Sequence, residues 1–432
     1  MSSLHQAYNL MQQGQGPEAS HLLHNLIKKE PDNSQAHYLL GLLALENNET
    51  DRATHCFLAT IKISPEATPA HYNLGVLYQD RGELETARHH YQIGLNLSPQ
   101  DVDIRFNLAL TCKQLGLLTE AQQHFETVLE TSPRDIDTLY NLANTEQALH
   151  QNSQAIKRLE ALLLVEPDHL SALNNLGYLY HKEGLGQQAI PIYQKLIAKN
   201  HNSTAARHLL AALTGDTTSH APTAYVKDVF DQFADHFDAS LQENLGYNTP
   251  TLLAQLLKQT LPQQTFTHGL DLGCGTGLSG ASFANCTTTL TGIDLSPKML
   301  EQADKKGFYQ SLHEADLVPF IQKSDIIFDL YLAADVFVYI GDLCPIFKAI
   351  AQKKTPSIFI FSTEQADINY SLKPSGRYGH AVSYIYDLAK EQGFTILAHE
   401  SAPLRKEGAK WLDGELYILG YDGLVSRGLS TG

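Results

Sequence analysis

Pro31, Pro65, Pro99, Pro133 and Pro167 stand 34 residues apart, and so do Ala19, Ala53, Ala87, Ala121, Ala155 and Ala189. Gly41, Gly75, Ala109, Ala143 and Gly177 keep the same step, as do Leu40, Leu74, Leu108, Leu142 and Leu176. Four series in one register describe a unit copied along the chain. Such a sequence folds as an array in which each copy packs on its neighbours. A period of 34 fits a helix–turn–helix unit. Small residues lie where paired helices touch, leucine fills the groove between them, and proline ends each second helix.

The clearest copy is TPAHYNLGVLYQDRGELETARHHYQIGLNLSPQD, residues 68–101. It resembles the tetratricopeptide repeat, with about six copies over 4–203 and a closing helix at TAARHLLAAL, 204–213. The resemblance implies an α-solenoid with a concave groove. Asn73, Asn107, Asn141 and Asn175 also step by 34, in the first helix of each repeat. An amide offers one acceptor and two donors. Such a row either holds the backbone of an extended peptide or bonds locally within the array, and both readings stay open. His37, His71 and the pair His89–His90 read as surface residues and not as metal ligands.

Residues 214–223, TGDTTSHAPT, are polar and rich in breakers, and read as a hinge between a repeat domain, 1–213, and a second domain, 224–432. Beyond it the period is lost. Strand-like runs at 269–272, 290–295, 328–334, 357–363, 394–400 and 414–421 alternate with helical stretches. That alternation predicts an α/β Rossmann-like domain with a mostly parallel sheet. Ligands in such sheets bind beyond the carboxyl ends of the strands.

The first of these strands runs into LDLGCGTGLSG, 270–280, with glycine at 273, 275, 277 and 280. Two nucleotide-like ligands suit a backbone so bare: a dinucleotide or S-adenosylmethionine. GTGLSG matches the dinucleotide fingerprint, but late; directly after the strand, Gly273 and Gly275 are followed by Leu278 where glycine is required. Asp271 would repel a pyrophosphate and attract an ammonium. Asp294 ends the second strand and suits the ribose hydroxyls of either ligand. Asp316, in HEADLVPF, stands where a third strand should end, able to take an adenine amino group. Three carboxylates at successive strand ends favour S-adenosylmethionine.

Together, LDLGCGTG, TGIDLS, HEADL and FDLYLAADVFVYIGDL resemble the ordered motifs of class I S-adenosylmethionine-dependent methyltransferases over about 224–421. The whole chain resembles methyltransferases that carry N-terminal tetratricopeptide repeats. VFDQFADHFDASLQENLGYNTP, 229–250, and GRYGHAVSYIYDLAKEQGF, 376–394, are similar to segments of that group. The resemblance implies that Asp271 lies near the cofactor amino group and that Gly273, Gly275 and Gly277 lie against its methionine part. It puts Asp294 and Leu295 at the ribose, Asp316 and Leu317 at the base, and Asp335 between cofactor and acceptor. Tyr339 and His380 are candidate bases, and Arg377 a candidate for substrate charge, in a loop, SGRYGH. Phe230, Phe233 and Phe237 read as one apolar helix face, either core or lid.

A repeat groove joined to such a domain points to an acceptor that is a protein or is recruited by one. A scaffold with a non-catalytic methyltransferase fold is the alternative, and a nicotinamide-dependent oxidoreductase comes third. The net charge of −16 argues against nucleic acid. No C-x-x-C pair links the five cysteines, so neither a zinc site nor a disulfide framework is indicated, and a reducing, cytoplasmic setting is expected. No signal peptide or membrane span is read in the sequence.

Overall fold

The computed structural model describes residues 3–234, 238, 246–407 and 410–421. The chain divides into two compact units, Met1–Leu185 and Gly186–Gly432.

The first unit is a run of antiparallel helix pairs: α1 (Ser3–Gln12) with α2 (Gly16–Lys29), α3 (Ser34–Glu46) with α4 (Thr50–Ile63), α5 (Thr68–Asp80) with α6 (Leu84–Leu97), α7 (Val102–Gln114) with α8 (Leu118–Thr131), and α9 (Ile136–Ala148) with α10 (Asn152–Val165), then α11 (Leu170–Lys182). The periodic residues form the seams. Ala19, Ala53, Ala87, Ala121 and Ala155 are fully buried. A side chain at Gly75 would collide with the ring of Tyr91, so the glycine lets the paired helices close. Asn33, Asp101 and Asp135 cap α3, α7 and α9, each accepting from a backbone N–H three residues on.

The asparagine series brackets neighbouring repeats. Asn73 Nδ2 donates to the Pro69 carbonyl at 2.8 Å and to Tyr38 Oη at 3.3 Å. Asn107 donates likewise to Asp103 at 2.9 Å and Tyr72 at 3.4 Å. Asn175 donates to Asn144 Oδ1 at 2.9 Å and to Tyr140 at 3.5 Å. Asn141 departs from the pattern, because Phe106 stands where the others have tyrosine. Its nitrogen bonds only the Asp137 carbonyl at 2.9 Å, and its oxygen accepts from Lys113 Nζ at 3.1 Å. The amide nitrogens are thus committed within the array.

His71 and His90 are not surface residues; they are 4% and 8% exposed. His71 Nε2 donates to the Pro65 carbonyl at 3.0 Å, leaving its Nδ1 to accept from His90 Nδ1 at 3.1 Å. Burial pushes the pKa of His90 down to about 4, so the pair is neutral at ordinary pH.

The second unit opens with α12 (Gly186–Lys199) and α13 (Thr204–Thr214), continues through α14 (Thr223–Phe233), and then forms a nine-stranded sheet. Its strands are β1 (Phe266–Leu272), β2 (Thr287–Asp294), β3 (Ser311–Glu314), β4 (Leu330–Ala333), β5 (Ser357–Gln365), β6 (Tyr370–Leu372), β7 (Tyr378–His380), β8 (Phe394–Glu407) and β9 (Lys410–Tyr421). Strands β3, β2, β1, β4 and β5 lie side by side and parallel. β9 runs antiparallel to β5, pairing it from Gly414 to Tyr421, and pairs β8 on its other edge. Alternation sorts the core into two layers. Leu330, Leu332, Ile358 and Ile360 face one side with Leu253 and Phe266, while Tyr331, Ala333, Phe359 and Phe361 face the other with Phe347 and Ile385.

The six strand-like runs of the sequence are all strands. The hairpin β6–β7 is an addition, where a loop was expected. It pairs β5 at Glu364 and Gln365, on the edge that β4 leaves at Phe361. The compact units divide at 185/186, ahead of the expected boundary at 213. The segment expected as a hinge is pinned to the sheet. Leu372 N–H donates to Thr217 Oγ1 at 3.3 Å, Gly341 and Asp342 N–H both donate to the Ser219 carbonyl at 2.8 Å, and Ala221 N–H donates to the Tyr339 carbonyl at 2.9 Å. Among the described residues no helix is long and apolar enough to cross a membrane, and no three His, Cys, Asp or Glu side chains cluster to hold a metal ion.

The Phe106 step yields a direct test. Phe106→Tyr should supply the missing hydroxyl to Asn141 and raise stability by about 0.5–1.5 kcal/mol, read by urea denaturation. No change in the midpoint would mean that the Tyr–Asn bonds add nothing to the array.

Candidate functional site

The strand order reverses between β1 and β4, which opens a crevice at their carboxyl ends. A cavity of about 550 Å³ occupies it. One half is walled by the turns after β1, β2 and β3: Gly273–Thr276, Leu278 and Ser279, Asp294 and Leu295, and Asp316–Pro319. Among the described residues no lysine or arginine lines this half. The other half is walled by Ala334–Val336, Tyr339, Ile340 and Arg377, with Phe230, Tyr247, Arg405 and the pinned segment around His220 closing over it.

The glycine turn is shaped by its backbone. Gly273, Gly275 and Gly277 have φ of +68°, +52° and +86°, a region where a side chain is strained. The turn is tied to β2: Gly275 N–H donates to Asp294 Oδ2 at 2.9 Å, while Asp294 Oδ1 accepts from Ser296 N–H at 2.9 Å. Each Asp294 oxygen keeps a lone pair for a ligand. Burial raises its pKa despite these bonds.

Asp271 lies beneath the turn and does not line the cavity. It is fully buried, and its Oδ2 accepts from Tyr309 Oη at 2.7 Å. The tyrosine oxygen also accepts from Gly280 N–H at 3.1 Å, so one hydroxyl joins the β1 carboxylate to the helix that follows. Asp271 Oδ1 has no partner among the described residues. Burial raises its pKa to about 7, with the Tyr309 bond opposing and Asp294 adding to the rise. Asp316 precedes the helix Leu317–Lys323 without making a side-chain cap, so its exposed carboxylate is available beside buried Leu317.

At the far end, Asp335 takes φ of +61° and both its carboxylate oxygens accept from Arg405 Nη1 at 2.7 Å. The other Arg405 nitrogen donates to Glu364, at the end of β5. Arg405 and Glu364 are 2% and 1% exposed. A β-bulge between Pro403 and Arg405 directs the guanidinium inward. Burial raises the pKa of Asp335, with Arg405 opposing it. Tyr339 lines the cavity in T-shaped contact with Phe230, ring centroids 5.4 Å apart. Burial, reinforced by Asp335, raises its hydroxyl pKa.

The cavity thus gathers Gly273, Gly275, Asp294, Leu295, Asp316, Leu317, Asp335, Tyr339 and Arg377. Asp271 and Gly277 support it from behind. His380 does not reach it: the residue is fully buried in β7, donates from Nε2 to the Gly341 carbonyl at 3.0 Å, and is held neutral by burial, its pKa down to about 4. Phe237 lies outside the described residues. Tyr309, Arg405, Glu364 and Tyr247 are site residues that sequence reasoning missed.

Comparison with known proteins agrees with this architecture. Residues 270–356 match a family model described as a methyltransferase domain, and residues 4–68, 72–136 and 140–203 match the tetratricopeptide repeat. Methyltransferase-like protein 27 of Homo sapiens is 40% identical over 85 residues, 19% of this chain and 34% of that protein. The chain therefore spans about a third of that relative. Solved structures similar to it include YrrB, a tetratricopeptide protein with an unusual peptide-binding site (17% identity, 43% of this chain and 96% of that one, TM-score 0.41). Another is pilF of Pseudomonas aeruginosa (15% identity, 48% and 95%, TM-score 0.40). A third is MamA (17% identity, 40% and 94%, TM-score 0.37). The chain carries tetratricopeptide repeats followed by an α/β domain of methyltransferase type.

Arg405→Met would leave Asp335 and Glu364 buried without their shared cation. Equilibrium denaturation of the second unit's transition should show a loss of about 3–5 kcal/mol. A loss within error would mean that the bridge is dispensable.

Proposed function

We propose that this chain transfers a methyl group from S-adenosylmethionine to an acceptor that is a protein, or is recruited by one, through the repeat domain. One observation carries the reading: a glycine turn and strand-end carboxylates border one cavity whose β1–β3 half, among the described residues, is lined by no basic side chain. A pyrophosphate would find no basic side chain on that wall, and Lys306, which reaches Thr276 Oγ1 at 3.4 Å behind it, is paired with Asp238. A cofactor with two ribose hydroxyls and an amino-purine would find Asp294 and Asp316 on the wall, and its ammonium would feel the charge of Asp271 buried behind the glycine turn. The β1 glycines approach the methionine part, Leu295 and Leu317 pack by the nucleoside, and Asp335 and Tyr339 flank the methyl group. Displacement at a sulfonium releases a neutral thioether, so the protein chiefly aligns donor and acceptor.

In this reading the repeats, 1–213, recruit and the domain 224–432 catalyses, in the cytoplasm. The asparagine row contributes mainly acceptors: at Asn73, Asn107 and Asn175 the side-chain oxygen is what an extended peptide's N–H could meet, because the nitrogens are engaged. The acid balance of the chain, −16, keeps nucleic acid out of the partner set.

Isothermal titration with S-adenosylhomocysteine tests the reading, with nicotinamide dinucleotides as the control. Binding of the former only is expected. Asp294→Ala should weaken it by roughly 1–3 kcal/mol, the scale of lost hydrogen bonds to a charged acceptor. Undiminished affinity in a folded variant would remove Asp294 from the site.

The pKa of Asp271, about 7, sets a second expectation. Below it the carboxyl is protonated and neutral; above it the anion attracts the cofactor ammonium. Affinity should therefore rise between about pH 6 and 8 with uptake of cofactor coupled to proton release. Asp271→Asn should flatten that slope, and a slope unchanged in this variant would assign the titration elsewhere.

A further inference from the structure

We infer that the methyl acceptor is a carboxylate, seated on Arg377 and esterified without a general base. The inference deepens the methyl-transfer reading above and rests on it.

The charge balance at the acceptor end points that way. Arg405, Lys373 and Arg377 gather around two carboxylates, Asp335 and Glu364. Glu364 is already claimed: Oε1 accepts from Arg405, and Oε2 from Lys373 Nζ at 3.0 Å. Arg377 Nη1 lies 3.7 Å from Oε1, beyond hydrogen-bond range. Among the described residues, Arg377 is thus the cation of this cluster that lines the cavity partly exposed and without a carboxylate at hydrogen-bond distance. Asp342, the remaining acid of that wall, has one oxygen engaged by neutral donors. Its Oδ1 accepts from Cys344 N–H at 3.0 Å, at the positive end of the helix Cys344–Gln352, and from Tyr384 Oη at 3.2 Å.

The turn that carries Arg377 is braced. Lys373 N–H donates to the Arg377 carbonyl at 2.7 Å, closing the β6–β7 hairpin. His208 of α13, 3% exposed, donates from Nε2 to the Gly376 carbonyl at 2.9 Å. A guanidinium on a fixed turn presents a planar pair of donors, and a carboxylate matches that pair with two parallel bonds.

Among the described residues, the titratable groups of this wall are tyrosine hydroxyls, carboxylates that already hold donors, and a histidine at the rim. Burial keeps the hydroxyls of Tyr339 and Tyr247 protonated. Each oxygen of Asp335 already accepts from the Arg405 cation. His380 is outside the cavity, and His220 is an exposed residue at its rim with Nδ1 turned to Ser219 Oγ at 3.0 Å. An ammonium, hydroxyl or thiol acceptor would have to shed a proton into this wall. A carboxylate arrives ionised at neutral pH. One of its oxygen lone pairs forms the bond to the methyl carbon while the carbon–sulfur bond breaks and its electron pair stays on sulfur. The sulfonium cation and carboxylate anion become a neutral thioether and a neutral ester, with no proton transferred. The ester has lost the charge that Arg377 holds, which favours release.

The carboxylate belongs either to a small acid or to a protein. The full chain, incubated with S-adenosylmethionine tritiated in the methyl group and an extract of its own cells, separates these sources. Mild base hydrolyses methyl esters to volatile methanol and leaves N-, S- and C-methyl groups intact. Base-labile label is expected, in the protein precipitate for a protein carboxylate or in the ultrafiltrate for a small acid. Arg377→Gln should cut that label about ten-fold or more, the scale of a lost charge-assisted bond, while S-adenosylhomocysteine still binds as before. Base-stable label, label indifferent to Arg377→Gln, or no transfer while cofactor is bound would each overturn the inference. So would weakened S-adenosylhomocysteine binding in Arg377→Gln, which would assign the guanidinium to the cofactor's own carboxylate. Failure of the unaltered chain to bind S-adenosylhomocysteine would instead overturn the methyl-transfer reading itself.

Discussion

Two carboxylates at the ends of neighbouring strands, Asp335 and Glu364, share one cation, and Arg405 is the group that lets them stay there. Asp335 and Glu364 would repel each other and carry the desolvation cost of buried charge without it. With it, the backbone after β4 can hold Asp335 at positive φ and the end of β5 can carry an acid into the core. The hairpin that brings Lys373 and Arg377 to Glu364 is then drawn to the same point. The cavity is thus bordered by an ionic cluster, the glycine turn and aromatic rings.

Around this point the layers converge. Side-chain alternation on β4 and β5 buries both faces of the sheet, which leaves the strand ends as the place where polar groups collect. The Asp271–Tyr309–Gly280 chain of hydrogen bonds fixes the glycine turn from below. Helix α14 reaches over the strand ends: Lys227 bonds Glu314, the last residue of β3, and Asp231 accepts from Ser296 Oγ at 2.5 Å after β2. Helix α13 and the segment behind it hold the opposite wall through Gly376, Ser219 and Ala221. The last helix of the repeat pattern is in this way part of the α/β unit's construction.

Much of this was legible in the sequence because it is local or periodic. The 34-residue step, the alternation of β-rich and helical runs, and the glycines after β1 each announce themselves within a short window. Asp294, Asp316 and Asp335 could be placed because strand ends can be counted. Arg405 could not: it lies 70 positions from Asp335, in a stretch, APLRKEG, that reads as a loop until β9 pairs with it and a bulge turns one residue inward. Tyr309 is hidden for the same reason, 38 positions from the carboxylate it meets. His380 misled because a glycine-bearing stretch reads as an exposed loop, whereas its pairing with β5 buries it. The pinned segment 217–221 misled in the opposite way: polar residues that look like a tether instead satisfy backbone groups on the cavity wall.

The central claim is that the cavity at the β1–β4 crevice is built for S-adenosylmethionine. A crystal structure of the chain grown with S-adenosylhomocysteine tests it most directly. The account predicts the ligand in that cavity, its ribose hydroxyls on Asp294, its purine between Leu317 and Asp316, and its sulfur facing Asp335 and Tyr339. A cavity that stays empty in the presence of saturating ligand, or a ligand bound elsewhere on the chain, would contradict it.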